Sequence, residues 1–333
     1  MKIAVDAMGG DHAPEMVVQG ALQAALKWGI EVTLIGDGEA IRKQLKGHPE
    51  GTHVRIRHCD ERVEMGEPPL KALRRKRTAS IRIATEMVAC GEADAALSAG
   101  NSGVSLAAAI LTLGRVEGVE RPAFAGIVPT ESGPVILIDV GANVDCRPVH
   151  LFQFGIMADA FAVSCLGMDR PRIGLLSIGE EGGKGNEQVR LAHDLFRTSD
   201  LNFAGNVEGR DIFSGRVQIV VCDGFVGNVA LKVGEGLART VTDMLKREIT
   251  GSLGEKAGRL FWRRVFQGLK GRLDYEEYGG APILGIKGVV IVCHGASSAK
   301  AVKNAVRMAD RYARNRIQDR LSRHIARFTR AAA

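Results

Sequence analysis

The sequence predicts an α/β protein with a doubly wound, mostly parallel sheet. β-Branched apolar runs of strand length recur along the chain, several of them apolar on both faces, as strands covered by helices on either side are. Stretches of helical length separate the runs, each followed by the glycine that commonly stops a last helical turn. The composition is that of a globular protein rich in glycine-dependent turns: 45% hydrophobic, 25% charged, 5% aromatic, with 41 glycines.

In chain order the strand-like runs are "KIAVDA" from Lys2, "VTLIGD" from Val32, "HVRIRHC" from His53, "AALSAG" from Ala95, "FAGIVP" from Phe124 and "VILIDV" from Val135. "RIGLLSIG" from Arg172, "QIVVCDG" from Gln218 and "GVVIVCHG" from Gly288 follow. Helices are expected over 14–28, 80–90, 149–166 and 226–250, closed by Gly29, Gly91, Gly167 and Gly251. Alternation of strand and helix implies parallel crossover connections.

At 333 residues the chain exceeds the size at which a single core usually stops growing, about 250–300 residues, so two lobes are expected. No linker or repeat marks a cut; the best candidate seam lies at 145–148, within a catalytic unit over 1–310. The segment from Lys303 to Ala333 carries nine Lys and Arg against two Asp, equal to the whole formal excess of +7. Residues 311–333 therefore read as a basic C-terminal tail.

Six cysteines show no CxxC spacing, which favours reduced core thiols over zinc or redox chemistry. Asp6 interrupts the place where a signal peptide needs its apolar stretch, and no 18 apolar residues run together. A soluble cytoplasmic protein is expected.

Almost every run ends in glycine plus a polar residue: "DAMGGD", "SAGNSG", "DVGAN", "SIGEEGGKGN", "GNVEG", "CDGFVGN" and "CHGASS". Ligands of open α/β sheets bind beyond the carboxyl ends of strands, so these loops are expected to form one pocket. "DAMGGDHAP" lacks the GxGxxG dinucleotide fingerprint, and "GGKGN" has Gly185 where a P-loop needs Ser or Thr. Neither HxxxH, HExxH nor GxSxG occurs, so a metal site has weak support and acyl transfer through a serine nucleophile is not expected. A pocket of backbone N–H groups, amides and hydroxyls suits a small oxyanion. A helix starting near Ser102 would place Asn101, Ser102 and the following N–H groups around it.

"MKIAVDAMGGDHAP", "SAGNSG", "DVGAN", "GNVEGRDIFSG", "VCDGFVGNVALK" and "GGAPILGIKG…CHGASS" together resemble the motifs of the bacterial phosphate acyltransferase family (PlsX), in register from Lys2 to about Asp310. The resemblance implies reversible transfer of a long-chain acyl group from acyl carrier protein to inorganic phosphate, without a cofactor or metal. The acyl-phosphate product would supply a glycerol-3-phosphate acyltransferase. It also implies a fold similar to the isocitrate/isopropylmalate dehydrogenases and phosphotransacetylases, a homodimer, and peripheral association with the inner face of the cell membrane.

Within these motifs Ser98, Asn101 and Ser102 are the candidates for phosphate binding, and Lys184 for the charge that meets phosphate or the developing oxyanion. Asn143, Asn206 and Asn228 are candidates to orient the thioester carbonyl, with Asp139, Glu208 and Asp223 orienting those donors. His294 is the candidate to protonate the leaving thiolate. Two other classes stay open on the residues alone. A metal- and NAD-dependent decarboxylating dehydrogenase of the same superfold would need a DxxxD-like carboxylate cluster; a nucleic-acid-binding protein would use the basic tail, but the tail holds one Tyr and one Phe for stacking and no binding module, so no nucleic acid is expected.

Two further segments carry surface expectations. Over 255–273, Phe261, Trp262, Val265, Phe266, Leu269 and Leu273 fall within an arc of about 140° on a helix, with Lys256, Arg259, Arg263 and Lys270 opposite. That pattern suits contact with an anionic membrane through Phe261, Trp262, Phe266 and Leu269, or a core or dimer-interface helix. Arg307, Arg311, Arg314, Arg320 and Arg327 would form a basic helical face for an acidic partner, either acyl carrier protein or an anionic membrane.

Overall fold

Among the described residues the nine apolar runs and two further segments assemble into one eleven-stranded sheet. The computed structural model describes residues 1–45, 47–48, 51, 53–130, 132–251, 275–315, 317 and 321–326. The amphipathic segment 255–273 lies outside them.

Five strands run side by side in one direction: β3 (Val54–His58), β2 (Glu31–Gly36), β1 (Lys2–Asp6), β4 (Ala95–Ser98) and β11 (Val290–Val292). Four more are parallel among themselves: β6 (Gly133–Ile138), β9 (Ile219–Val221), β7 (Ile173–Leu176) and β8 (Phe203–Val207). Between the groups, β10 (Ala281–Leu284) is antiparallel to β11 and to β5 (Ala123–Thr130), and β5 is antiparallel to β6. The sheet is mostly parallel, as the apolar runs imply, but its two parallel groups point in opposite senses. "FAGIVP" is therefore antiparallel to both of its neighbours, and β10, the short apolar segment "APIL", is not among the strand-like runs. The strand-end loops accordingly do not all converge on one pocket.

Helices cover both faces. On β1, Ile3 and Val5 belong to one apolar cluster and Ala4 to the other, the two-residue alternation of a strand buried on both sides. The larger cluster holds α1 (Glu15–Trp28) and α6 (Pro148–Leu166), which end at the left-handed glycines Gly29 (φ 65°) and Gly167 (φ 70°). Helix α6 is 19 residues long and apolar enough in composition to cross a bilayer, but Phe154 and Phe161 within it are fully buried in the core.

The remaining helices are α2 (Gly38–Gln44), α3 (Pro69–Arg75), α4 (Ser80–Ala89), α5 (Ser102–Leu113), α7 (Glu187–Arg197), α8 (Gly224–Gly251) and α9 (Ala299–Arg314). The chain passes between the halves of the sheet through the β5–β6 hairpin and returns through β10, so 145–148 is the lead-in to α6 rather than a seam. Nor does a tail separate at 310. Helix α9 runs through that position, and Tyr312, Ile317, Leu321 and Ile325 are buried in the larger cluster. Its arginines are engaged internally: Arg307 lies over the Trp28 ring at 5.1 Å, Arg311 Nη2 donates to the Cys165 carbonyl at 3.0 Å, and Arg314 pairs with Asp310 at 2.9 Å. Arg320 and Arg327 lie outside the described residues.

Candidate active site

Two buried aspartates, one at the end of β1 and one just past β6, organise the loops. Asp6 accepts hydrogen bonds from Ser80 Oγ (2.6 Å), Ser98 Oγ (2.7 Å) and the Met8 N–H (3.2 Å). Burial pushes its carboxyl above the usual carboxylate range, and the serine hydroxyls oppose that rise. Ser98 Oγ in turn accepts from the Gly100 N–H at 3.0 Å. The packing at this corner is close enough to require glycine: a Cβ on Gly9 would lie 2.6 Å from Asp6 Oδ2.

This network gives Ser98 and Asn101 different work from that expected. The Ser98 hydroxyl has one proton, and Asp6 takes it. Asn101 caps α5 by accepting from the Val104 N–H (3.2 Å) and donates through Nδ2 to the carbonyls of Met65 (2.6 Å) and Glu67 (3.3 Å). Its amide is thereby occupied in pinning the 65–67 loop. Ser102, the first residue of α5, is exposed, and its hydroxyl makes no hydrogen bond among the described residues.

Asp139 is the second hub and is fully buried. Its Oδ1 accepts from the N–H groups of Phe124 (3.0 Å), Gly141 (3.2 Å) and Ala142 (3.0 Å), and Oδ2 from the Asn143 N–H (2.7 Å) and Nδ2 (2.9 Å). Burial raises this carboxyl too, against the pull of these donors toward the ionised form. The second Asn143 amide proton goes to the Pro122 carbonyl at 2.8 Å. Asn143 is thus a hydrogen-bond partner of Asp139, which also gathers the backbone N–H groups of Phe124, Gly141, Ala142 and Asn143.

Asp223 caps α8, accepting from the N–H groups of Phe225 (3.0 Å) and Val226 (2.9 Å), so the helix begins two residues earlier than periodicity alone indicates. A Cβ on Gly227 would lie 1.9 Å from the Asp139 carbonyl oxygen, so the first turn of α8 seats directly on this hub. Asn228 is then placed beside Gly141.

Between the two hubs lies an open cleft of about 360 Å³, whose wall includes Ser102, Gly141, Asn228, Lys232 and His294. Phe124, Ile127, Val140 and Leu231 supply apolar surface to it. His294 Nδ1 accepts from the Ala296 N–H at 3.2 Å, which leaves Nε2 to carry the proton of the neutral ring. Lys232 stands one helical turn beyond Asn228 and has no ion pair among the described residues. It was not among the sequence candidates, although its place in "GNVALK", four residues after Asn228, puts both on one helical face.

The structure does not bring Lys184, Asn206 or Glu208 into this wall. Asn206 lies in β8, and Lys184 and Glu208 in the segments that follow β7 and β8. Lys184 is exposed on the 177–186 loop, its N–H donating to the Glu181 carbonyl at 2.9 Å. Asn206 is buried and donates to that same carbonyl at 2.8 Å, leaving its Oδ1 without a partner among the described residues. Glu208 pairs with Arg210 at 3.0 Å. Sequence reasoning also missed the Asp6–Ser80 contact, since nothing local in "TASIRI" signals it.

The architecture is shared with solved structures of low sequence identity. A phosphotransacetylase from Streptococcus pyogenes superposes with a TM-score of 0.64 at 18% identity, covering 94% of both chains. The phosphotransacetylase EutD of Staphylococcus aureus gives 0.61 at 17% identity, again covering 94% of both chains. A 4-hydroxythreonine-4-phosphate dehydrogenase from Klebsiella pneumoniae gives 0.55 at 16%, covering 94% of this chain and 97% of its own. The fold is that of the phosphotransacetylases.

Sequence relatives narrow the class. A phosphate acyltransferase of Geobacter sulfurreducens is 50% identical over 323 residues, 97% of this chain and 93% of its own length. One of Pelotomaculum thermopropionicum is 51% identical over 317 residues, 95% of this chain and 93% of its own. The pattern of the family described as fatty acid synthesis protein matches residues 1–320. The chain belongs to this family, as a member of its phosphate acyltransferases.

Proposed function

We propose that the cleft transfers an acyl group from a thioester to inorganic phosphate. A phosphate oxygen attacks the thioester carbonyl; the new C–O bond forms, the C–S bond breaks, and the leaving thiolate takes up a proton. Phosphate near neutral pH already offers a nucleophilic oxygen, and a thiol of pKa about 8.5 leaves readily. Positioning and oxyanion stabilisation therefore matter more than a strong base.

The observation that carries this reading is the composition of the cleft wall. Ser102 at the N-terminus of α5 and the Lys232 ammonium suit an anion, the Asn228 amide suits a carbonyl, and His294 Nε2–H suits a departing sulfur. Cys293 in the same wall is a poor covalent nucleophile, because burial pushes its thiol up to about 12. That set supports direct attack by phosphate.

Acyl carrier protein is the proposed donor and a glycerol-3-phosphate acyltransferase the proposed consumer, on the motif resemblance. A homodimer is proposed on a separate ground. Val226, Val229, Val233, Leu237, Val241 and Met244 leave an exposed apolar stripe along α8, at spacings of three and four, that a second copy would cover. Cytoplasmic residence at the inner membrane face is proposed on the motif resemblance together with the 255–273 pattern. The deciding experiment incubates the protein with acyl-acyl carrier protein and phosphate and detects acyl phosphate by mass. No acyl phosphate would overturn the reading; NADH formed when a β-carboxylated 2-hydroxy acid, NAD and a divalent metal are supplied, with the acid oxidised and CO2 released, would favour the dehydrogenase instead.

A further inference from the structure

We propose that the basic face of α3 docks the protein portion of the acyl donor, an acidic protein presenting an amphipathic helix; this rests on the acyl-transfer reading above. Lys71, Arg74, Arg75 and Arg77 are exposed, and none has an ion pair among the described residues. Their neighbours are matched. Arg62 pairs with Glu64 at 2.9 Å, Lys76 with Glu67, and Arg82 with Glu86 at 2.8 Å. Nearby acids are engaged as well: Asp60 with His58 at 3.0 Å and Glu61 with Thr78 Oγ1 at 2.5 Å. The unmatched positive charge is thus concentrated on α3 and the residues just after it.

Leu70 stands 58% exposed in the same patch. With Pro68 and Pro69 it forms the apolar part of a shallow depression whose other walls are Lys71, Arg74 and Arg75. One apolar anchor ringed by cations is complementary to a helix with acidic residues around an apolar side chain.

The patch is tied to the cleft. Asn101 Nδ2 holds the carbonyls of Met65 and Glu67, and Met65 itself lines the cleft. Pro69 Cγ lies 3.0 Å from where a Cβ on Gly103 would be, so α3 rests on the first turn of α5, next to Ser102. A carrier seated on α3 is therefore held at the rim of the cleft that its acyl chain must enter. A bilayer fits less well, because a seven-residue helix with one exposed large apolar side chain offers little to insert.

The test compares wild type, the charge-reversal variant Lys71→Glu/Arg74→Glu/Arg75→Glu and the milder triple alanine variant, using acyl-acyl carrier protein and acyl-pantetheine as donors. The expected result is a KM for the carrier-bound donor raised at least 10-fold by charge reversal, with kcat unchanged and acyl-pantetheine kinetics unaffected. The wild-type KM for the carrier should rise between low salt and about 0.3 M salt, while that of the reversal variant stays flat. An unchanged carrier KM overturns the proposal. So does an equal loss with both donors in the alanine variant, or lost binding to phosphatidylglycerol vesicles with carrier KM intact. Wild-type protein that forms no acyl phosphate from either donor overturns the acyl-transfer reading and this proposal with it.

Discussion

Ser98 Oγ donates to Asp6 Oδ2 at 2.7 Å, joining the ends of β4 and β1 across 92 positions of sequence. Asp139 does the equivalent work in the other half of the sheet, but with partners of another kind. Asp6 is met chiefly by hydroxyls, which can turn to donate or accept; Asp139 is met only by N–H donors, which cannot turn.

That difference predicts unequal costs for the same substitution. Asp139→Asn points amide hydrogens at N–H donors and is expected to cost about 2–4 kcal/mol. Asp6→Asn, with serines able to reorient, is expected to cost about 1–2 kcal/mol. Urea unfolding of the two variants measures both; equal losses would show that hydroxyl rotation gives no relief.

Lys232 and Lys184 separate two placements of the phosphate charge. Lys232→Ala is expected to lower kcat/KM for phosphate about 10²-fold, as loss of one charge-stabilising contact does, and Lys184→Ala by less than about threefold. Initial rates at subsaturating phosphate check this, and the reverse ranking would move the anion site to the 177–186 loop.

His294 is expected to matter in proportion to how much its leaving group needs a proton. His294→Gln should reduce turnover about 10²-fold with an alkyl thioester and by much less with an aryl thioester, whose thiolate leaves unprotonated. Parallel rates with the two donors read this out; the same loss with both would make the ring a binding group only.

His150 predicts a pH effect on stability. It is buried, its Nδ1 accepts from the Arg147 N–H at 3.0 Å, and Nε2 lies 3.1 Å from the Glu120 carboxylate, with Arg147 and Arg121 nearby. Burial holds its pKa below the ordinary histidine value of 6.5, against the pull of Glu120. The folded state therefore resists a proton that the unfolded chain accepts. Stability is full above pH 6.5 and falls as pH drops through the folded pKa, by at most about 1.4 kcal/mol per unit for one group. Denaturant midpoints between pH 7.5 and 5 should fall less steeply for His150→Gln than for wild type.

Whatever depends on near neighbours was legible in the chain. The strand runs, the glycines that close α1 and α6, and the start of α5 at Ser102 follow from side-chain period and backbone conformational preference, both local properties. The motif set carried the family, and three of its candidate residues, Ser102, Asn228 and His294, line one cleft. Strand direction was decided elsewhere. "FAGIVP" has the same apolar pattern in either sense, and only pairing with β6 and β10 made it antiparallel. Because the antiparallel hairpin turns the second half of the sheet around, it also decided that Lys232 lines the cleft while Lys184, Asn206 and Glu208, in and after β7 and β8, do not. The same holds for side-chain occupation. Asp6 meets Ser80 across 74 positions, and Arg311 meets the Cys165 carbonyl across 146. No local period encodes such contacts, because they exist only once the burial of both sheet faces has brought distant segments together.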